Sequence, residues 1–185
     1  MRGFLFFCCS SFFILYKISS GLITHLPLIK KISSIGETLI ISSGTANQKD
    51  LDDAIGACNK KYAKNIILLH CVSSYPTPFN QANLSTILSL RKKYKLSIGY
   101  SDHVLGYNAS LAAVTLGSSV IEKHFTLDTS RKDFDHKISL NPKEFSKMVN
   151  DIKIYKSMYG EKESWVSEIE KKNKTWMRRI IVSRS

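Results

Sequence analysis

Residues 96–124 read LSIGYSDHVLGYNASLAAVTLGSSVIEKH, and this stretch decides the fold. An apolar run at 96–101 leads into Asp102 and His103. Leu111, Val114 and Thr115 then share one helical face, Gly117 marks the stop, and a second apolar run at 119–124 closes on His124. Both runs are continuous rather than alternating in polarity. Strands of that kind are buried on both faces, which is the pattern of a parallel sheet covered by helices.

The same unit recurs on the N-terminal side. Apolar runs lie at 14–19, 38–43 and 65–72, with helical faces from Leu51, Ala54, Ile55 and Cys58 and from Leu84, Ile87 and Leu88; Gly36 marks another stop. On the C-terminal side, Asn141-Pro142-Lys143-Glu144 supplies a cap residue, a proline at the first helical position and a carboxylate able to reach back to the cap amide. Phe145, Met148, Val149, Ile152, Tyr155 and Met158 form the stripe of that helix, which ends at Gly160. The expected fold is α/β, with five parallel strands in sequential order joined by right-handed crossover helices and no closure of the fifth strand onto the first.

The chain has 185 residues, 43% of them hydrophobic, which excludes disordered and low-complexity classes. Its 27 Lys and Arg against 15 Asp and Glu give a formal charge of +12. The excess is spread over Lys60, Lys61, Lys64, residues 91–95 and a tail from Lys171 to Arg184, without interleaved aromatic residues. It reads as a solvated basic surface suited to small anions, not to nucleic acid. Cys8, Cys9, Cys58 and Cys71 make neither a disulfide framework nor a C-x-x-C spacing, so free thiols in a reducing cytoplasm are expected. The apolar run at 4–16 imitates the start of a secretory signal but is too short for a membrane span and is followed by no small-x-small site. Three segments result: an atypical hydrophobic start at 1–15, the strand–helix body at 16–160, and a charged linker at 161–185.

In parallel sheets with helical crossovers, sites form at the carboxyl ends of strands. The polar residues collect there: Lys17, Ser19 and Ser20, then Ser42 and Ser43, then His70, Ser73, Ser74 and Tyr75, then Ser101, Asp102 and His103, and finally His124. If His103 and His124 end neighbouring strands, about 4.8 Å apart, their imidazoles can converge on one cation. Nitrogen ligands suit Mn, Co, Zn or Fe. His70 holds a comparable position without a partner. Lys17 with Ser20, Ser42 and Ser101 would suit an anion, the lysine as point charge and the hydroxyls as donors; equally, the lysine could be a snorkelling edge residue and each serine a cap. Tyr75, in a Tyr-Pro-Thr-Pro turn, could pack or line a sugar pocket, and Asp135 could serve as a base or hydroxyl acceptor.

The segments HCVSSYPTP (70–78), GYSDH (99–103) with Leu105-Gly106, VIEKHFTLD (120–128), and Asp135-His136 with Ser139-Leu140 strongly resemble the sialic acid (N-acetylneuraminate) synthase family, which includes legionaminate and pseudaminate synthases. Lys17-Ile18-Ser19-Ser20-Gly21 and ISSGTA (41–46) fit its earlier strands. The resemblance implies a (β/α)8 TIM barrel that condenses phosphoenolpyruvate with an N-acetylmannosamine-type sugar, a transferase reaction assisted by a divalent metal, Mn or Mg. It implies His103 and His124 as metal ligands. Lys17, Ser20, Ser42, Ser73 and Ser101 are implied at the substrates, Ser73 where some members have asparagine, and Tyr75 and Asp135 face the sugar. A homodimer in the cytoplasm is implied as well, with neither a membrane nor a nucleic-acid partner.

The departures set further expectations. Leu22 stands where the family usually has a glutamate, and Asp133-Phe134-Asp135 replaces Gly-Pro-Asp. The five runs correspond to the fourth through eighth barrel strands, so the chain is read as an incomplete barrel. The resemblance also implies an early-strand glutamate and lysine and a C-terminal domain that supplies an arginine across the dimer, none of which matches a segment here. A truncated synthase, or a half-barrel without turnover, is therefore expected.

Overall fold

Each apolar run becomes a strand, and cross-strand register decides which of its side chains meet helices and which meet one another. The structure, a computed structural model, describes residues 15–35, 38–58, 65–159 and 166–178. Strands β1 (Leu15–Ile18), β2 (Thr38–Ser42), β3 (Asn65–Cys71), β4 (Ser97–Asp102) and β5 (Ile121–Lys123) alternate with helices α1 (Leu26–Ser33), α2 (Gln48–Ala57), α3 (Thr86–Tyr94) and α4 (Asn108–Thr115). Helices α5 (Pro142–Tyr159) and α6 (Glu168–Met177) follow. The sheet order is β1-β2-β3-β4-β5, every neighbouring pair is parallel, and β5 does not pair with β1.

Side chains alternate between the two faces of a strand, and parallel partners in register point the same way. Ile18, Leu39, Ile41, Leu68, Ile98 and Tyr100 lie in one buried cluster with Ile29 and Ile32 of α1, Leu51 and Ala54 of α2, Ile87 and Leu90 of α3, and Ala109 and Ala113 of α4. This is the outer, helix-facing side. The opposite face carries Lys17, Ser42, Cys71, Ser101 and Glu122, as the pairings Lys17 with Ile40, Ile40 with Ile67, Cys71 with Ser101 and Ser101 with Glu122 require. In a flat sheet β1 and β5 would stand about 19 Å apart. Yet the Lys17 ammonium meets the Glu122 carboxylate at 2.9 Å, so the sheet is curled into half a barrel with this face inside.

The helices depart from the sequence reading in detail. On α3, Ile87 and Leu90 are buried whereas Leu88 is 48% exposed, because the helix starts at Thr86 and turns Leu88 toward solvent. On α4 the buried residues are Ala109, Ser110, Leu111 and Ala113; Thr115 is exposed, since small side chains allow the closest approach to the sheet. The α5 cap forms as expected, with the Glu144 amide donating to Asn141 Oδ1 at 2.9 Å and the Asn141 amide to Glu144 Oε2 at 3.1 Å. Of its stripe, Met148 is buried, while Val149, Tyr155 and Met158 are exposed.

The start of helix α1, unlike the stop expected at Gly36, was not legible in the sequence, because its cap is His25, whose Nδ1 accepts from the Leu28 amide at 3.1 Å, rather than a hydroxyl or short polar side chain. The segment read as a linker contains α6, and the Ser167/Glu170 capping box was the signal for it. Gly117 adopts φ +90 after α4, as its stop role requires, while Gly36 and Gly160 lie outside the described residues. Cys58 and Cys71 are buried, with Cys58 Sγ donating to the Ala54 carbonyl at 3.3 Å; Cys8 and Cys9 lie outside the described residues. No helix among the described residues is long and apolar enough to cross a membrane.

Candidate active site

The inner face at the carboxyl edge of the sheet is polar, and its centre is a chain of three side chains from β1, β4 and β5. Lys17 Nζ lies 2.9 Å from Glu122 Oε1, and Ser101 Oγ donates to the same oxygen at 2.7 Å. Ser101 thereby spends its one hydrogen. Its oxygen is also 3.4 Å from His103 Nε2. His103 Nδ1 meets the Val72 carbonyl at 2.8 Å; a carbonyl only accepts, so Nδ1 carries the hydrogen and Nε2 presents a lone pair. Burial holds His103 and His124 below their ordinary value of 6.5, so both rings are neutral near pH 7.

The two imidazoles end adjacent strands, with ring centres 5.4 Å apart. Tyr75, half exposed, lies over them at 4.2 Å from His103 and 6.0 Å, edge-on, from His124. Asp135 Oδ2 stands 3.7 Å from His124 Nδ1 across the mouth. The rings, the tyrosine and this carboxylate therefore share one opening with the Lys17–Glu122–Ser101 chain.

A second cluster lies at the ends of β1, β2 and β3. Ser20 Oγ and Ser73 Oγ are 3.4 Å apart. Gly44 passes between them at φ +40, and a Cβ there would sit 2.0 Å from Ser20 Cβ and 2.9 Å from Ser73 Oγ, so only glycine permits this convergence. Ser42 Oγ, on the inner face, is buried without a hydrogen-bond partner among the described residues. An orphaned hydroxyl beside a lysine strand end fits an anionic ligand that would complete its hydrogen bonding.

The donor set also fits a divalent cation. Two neutral ring nitrogens face one opening, and His103 Nε2 is not engaged by any stronger donor. Among the described residues no group of three or more His, Cys, Asp or Glu side chains is placed to hold a metal ion, so the two rings are the candidate donors. An ion held by this pair would keep open positions, as a Lewis-acid site requires.

Sequence reasoning misplaced two residues, His70 and Asp102, and overlooked others. His70 is one position out of register with Cys71, so it points to the helix side, where Nε2 meets the Ala82 carbonyl at 2.9 Å and the ring stacks on Tyr100. Strand parity was the signal that separates it from His103. Glu122 was overlooked although its pairing with Ser101 puts it at the centre of the inner face. Asp102, grouped by sequence with the site, lies instead on the outer face, where the overlooked Lys123 places its Nζ 3.5 Å from Asp102 Oδ2 and both side chains are 0% exposed. Burial pulls the Lys123 ammonium below its ordinary value, and the Asp102 charge opposes that shift.

Residues 7–164 match the sequence model of the NeuB family. The chain belongs to the NeuB family. It is 43% identical over 172 residues to N,N'-diacetyllegionaminic acid synthase of Campylobacter jejuni, an alignment covering 92% of this chain and 52% of that protein. It is 39% identical over 149 residues to pseudaminic acid synthase of Helicobacter pylori, covering 80% of this chain and 44% of that one. Among solved structures, N-acetylneuraminic acid synthetase from Leptospira borgpetersenii, crystallised in complex with citrate, superimposes with a TM-score of 0.81 at 36% identity over 88% of this chain and 56% of that one. The chain thus spans about half the length of the curated relatives it matches. The family match also starts at residue 7, ahead of the motifs that begin near Tyr16.

Proposed function

We propose that this chain carries the cation-binding and much of the anion-binding machinery of a nonulosonic acid synthase, which condenses phosphoenolpyruvate with an N-acetylmannosamine-type sugar. In that reaction the enol carbon bonds to the sugar aldehyde carbon. Water then adds at the phosphate-bearing carbon, and the bond from that carbon to the phosphate oxygen breaks. The observation that supports this most is the convergence of Lys17, Glu122 and Ser101 with the His103–His124 pair at one opening, in a chain of this family.

Lys17 supplies the positive charge for phosphoenolpyruvate, with Ser20, Ser42 and Ser73 as hydroxyl donors around it, while Ser101, expected from the sequence at the substrate, keeps its hydrogen on Glu122 at the edge of the anion site. Glu122 holds the ammonium on the inner face until the anion arrives. His103 and His124 would hold a divalent ion, Mn or Mg, which when bound would polarise the sugar aldehyde. Tyr75 covers the ring pair and presents a flat face to the sugar, while Asp135 accepts from a sugar hydroxyl.

One observation favours a second outcome, binding without turnover. Leu22, where the family usually has glutamate, is half-buried and packs against the hydrophobic core, so position 22 offers no carboxylate to the site. Phosphate release from phosphoenolpyruvate, measured with Mn and with or without N-acetylmannosamine, separates the two. Sugar-dependent release that Lys17→Met and His103→Ala abolish supports condensation. Calorimetric binding of phosphoenolpyruvate without release supports the second outcome. Binding indifferent to Lys17→Met and Ser42→Ala refutes both.

A further inference from the structure

We infer that the buried Lys123–Asp102 pair on the outer face is the positioning device for the His103–His124 pair on the inner one. Each member precedes one histidine in sequence, so by strand alternation the two pairs sit back to back across the same two strand ends.

The pair does more than bridge β4 and β5. Asp102 Oδ1 accepts from the Val104 amide at 2.8 Å, and Oδ2 accepts from Ser110 Oγ of α4 at 2.6 Å. Lys123 Nζ donates to the Val104 carbonyl. Val104 is therefore held at both its amide and its carbonyl, immediately after His103. In the same peptide unit, the Thr77 amide donates to the His103 carbonyl at 2.9 Å, and Thr77 bridges Val104. The backbone that leaves His103 is thus fixed through Asp102 and Lys123 to α4 and β5, and directly to the turn that carries Tyr75.

A core made only to be stable would gain little from this arrangement. Replacing a buried ion pair with apolar residues of similar size is often neutral or stabilising. A salt bridge with directional bonds to one backbone position instead fixes geometry. Ring centres 5.4 Å apart converge on one ion only if the strand ends keep their register. The inference rests on the cation reading of those rings, and its test separates the two.

The variants are Asp102→Asn combined with Lys123→Met, the two single substitutions, His103→Ala combined with His124→Ala, and Ile29→Ala on α1 as a destabilised control. Mn(II) affinity is measured by electron paramagnetic resonance, urea midpoints by circular dichroism, and amide exchange of Thr77 and Val104 by NMR without metal. The single substitutions leave one charge buried alone and lower the urea midpoint; the combined variant recovers most of it. It nevertheless binds Mn about tenfold more weakly, the loss typical when support for metal ligands is removed. Its Thr77 and Val104 amides exchange faster, while those of β2 and β3 do not. Ile29→Ala lowers the midpoint and leaves Mn affinity in place. A combined variant with the original affinity and exchange rates overturns the positioning role alone, as does an affinity loss that Ile29→Ala reproduces. Mn binding that survives loss of both histidines overturns the cation reading and the inference with it.

Discussion

Replacing Ser42 by alanine should make the protein more stable and a poorer binder. The Ser42 hydroxyl is buried on the inner face with no partner among the described residues, in a residue 3% exposed. A buried hydroxyl without a partner costs about 1–3 kcal/mol, and alanine removes that cost while giving up only the few contacts of one oxygen. The net gain should be about 1 kcal/mol, a rise in melting temperature of roughly 2–4 °C for a chain of this size. A hydrogen bond to a charged ligand contributes about 1.5–3 kcal/mol, so phosphoenolpyruvate should bind at least about tenfold more weakly. Ser118→Ala is the matched control, because Ser118 Oγ is also buried and unpartnered but follows α4, away from the inner face. It should stabilise without touching affinity. Thermal unfolding and isothermal calorimetry on the same preparations decide it. A destabilised Ser42→Ala would show that the hydroxyl is satisfied, and an unchanged affinity would remove Ser42 from the anion site.

Other consequences are equally direct. Burial depresses His70, His103 and His124 below 6.5, so as pH falls through 6.5 the unfolded chain takes up protons first; their contribution to stability is complete above that pH and declines below it. Urea midpoints should therefore drop between about pH 7 and about pH 5, and His70→Gln should flatten part of the slope. Gly44→Ala should cost about 2–3 kcal/mol in urea unfolding, because φ +40 and a contact of 2.0 Å to Ser20 Cβ both oppose a side chain. Lys17→Met should weaken inorganic phosphate binding about tenfold, whereas Glu122→Gln, which removes a competing negative charge from a side chain 36% exposed, should strengthen it by only about threefold. Calorimetry at low salt measures both.

Strand order and direction were legible because continuous apolar runs separated by helical patterns leave few other arrangements. What the runs could not reveal is which residue of each strand end faces inward. His70 and His103 both sit at strand ends as sequence. Only the ladder, which pairs His70 with Tyr100 and Cys71 with Ser101, assigns them to opposite faces. Glu122 stayed invisible for a related reason. Its partner Lys17 is more than a hundred residues away on the far edge strand, and they meet only because the sheet curls. Helix boundaries failed where the chemistry was unusual, as at the His25 cap of α1, and the buried face of α4 was misjudged where small side chains, rather than large ones, set the contact.

The curl and the site are one property of this half-barrel. The outer face buries Ile18, Leu39, Ile41, Leu68 and Ile98 under four helices, and the sheet curls with the polar face inside. Bending brings Lys17 within 2.9 Å of Glu122, so a positive and a negative group that a flat sheet would leave far apart neutralise each other inside. Because Ser101 donates to the same Glu122 oxygen, that ion pair is also tied to the strand that carries His103. An anion that draws Lys17 from Glu122 would leave Ser101 as the remaining protein donor to the Glu122 carboxylate, beside His103 Nε2. The anion site and the ring pair therefore meet at Glu122 and Ser101, two side chains on the neighbouring strands that end in His124 and His103.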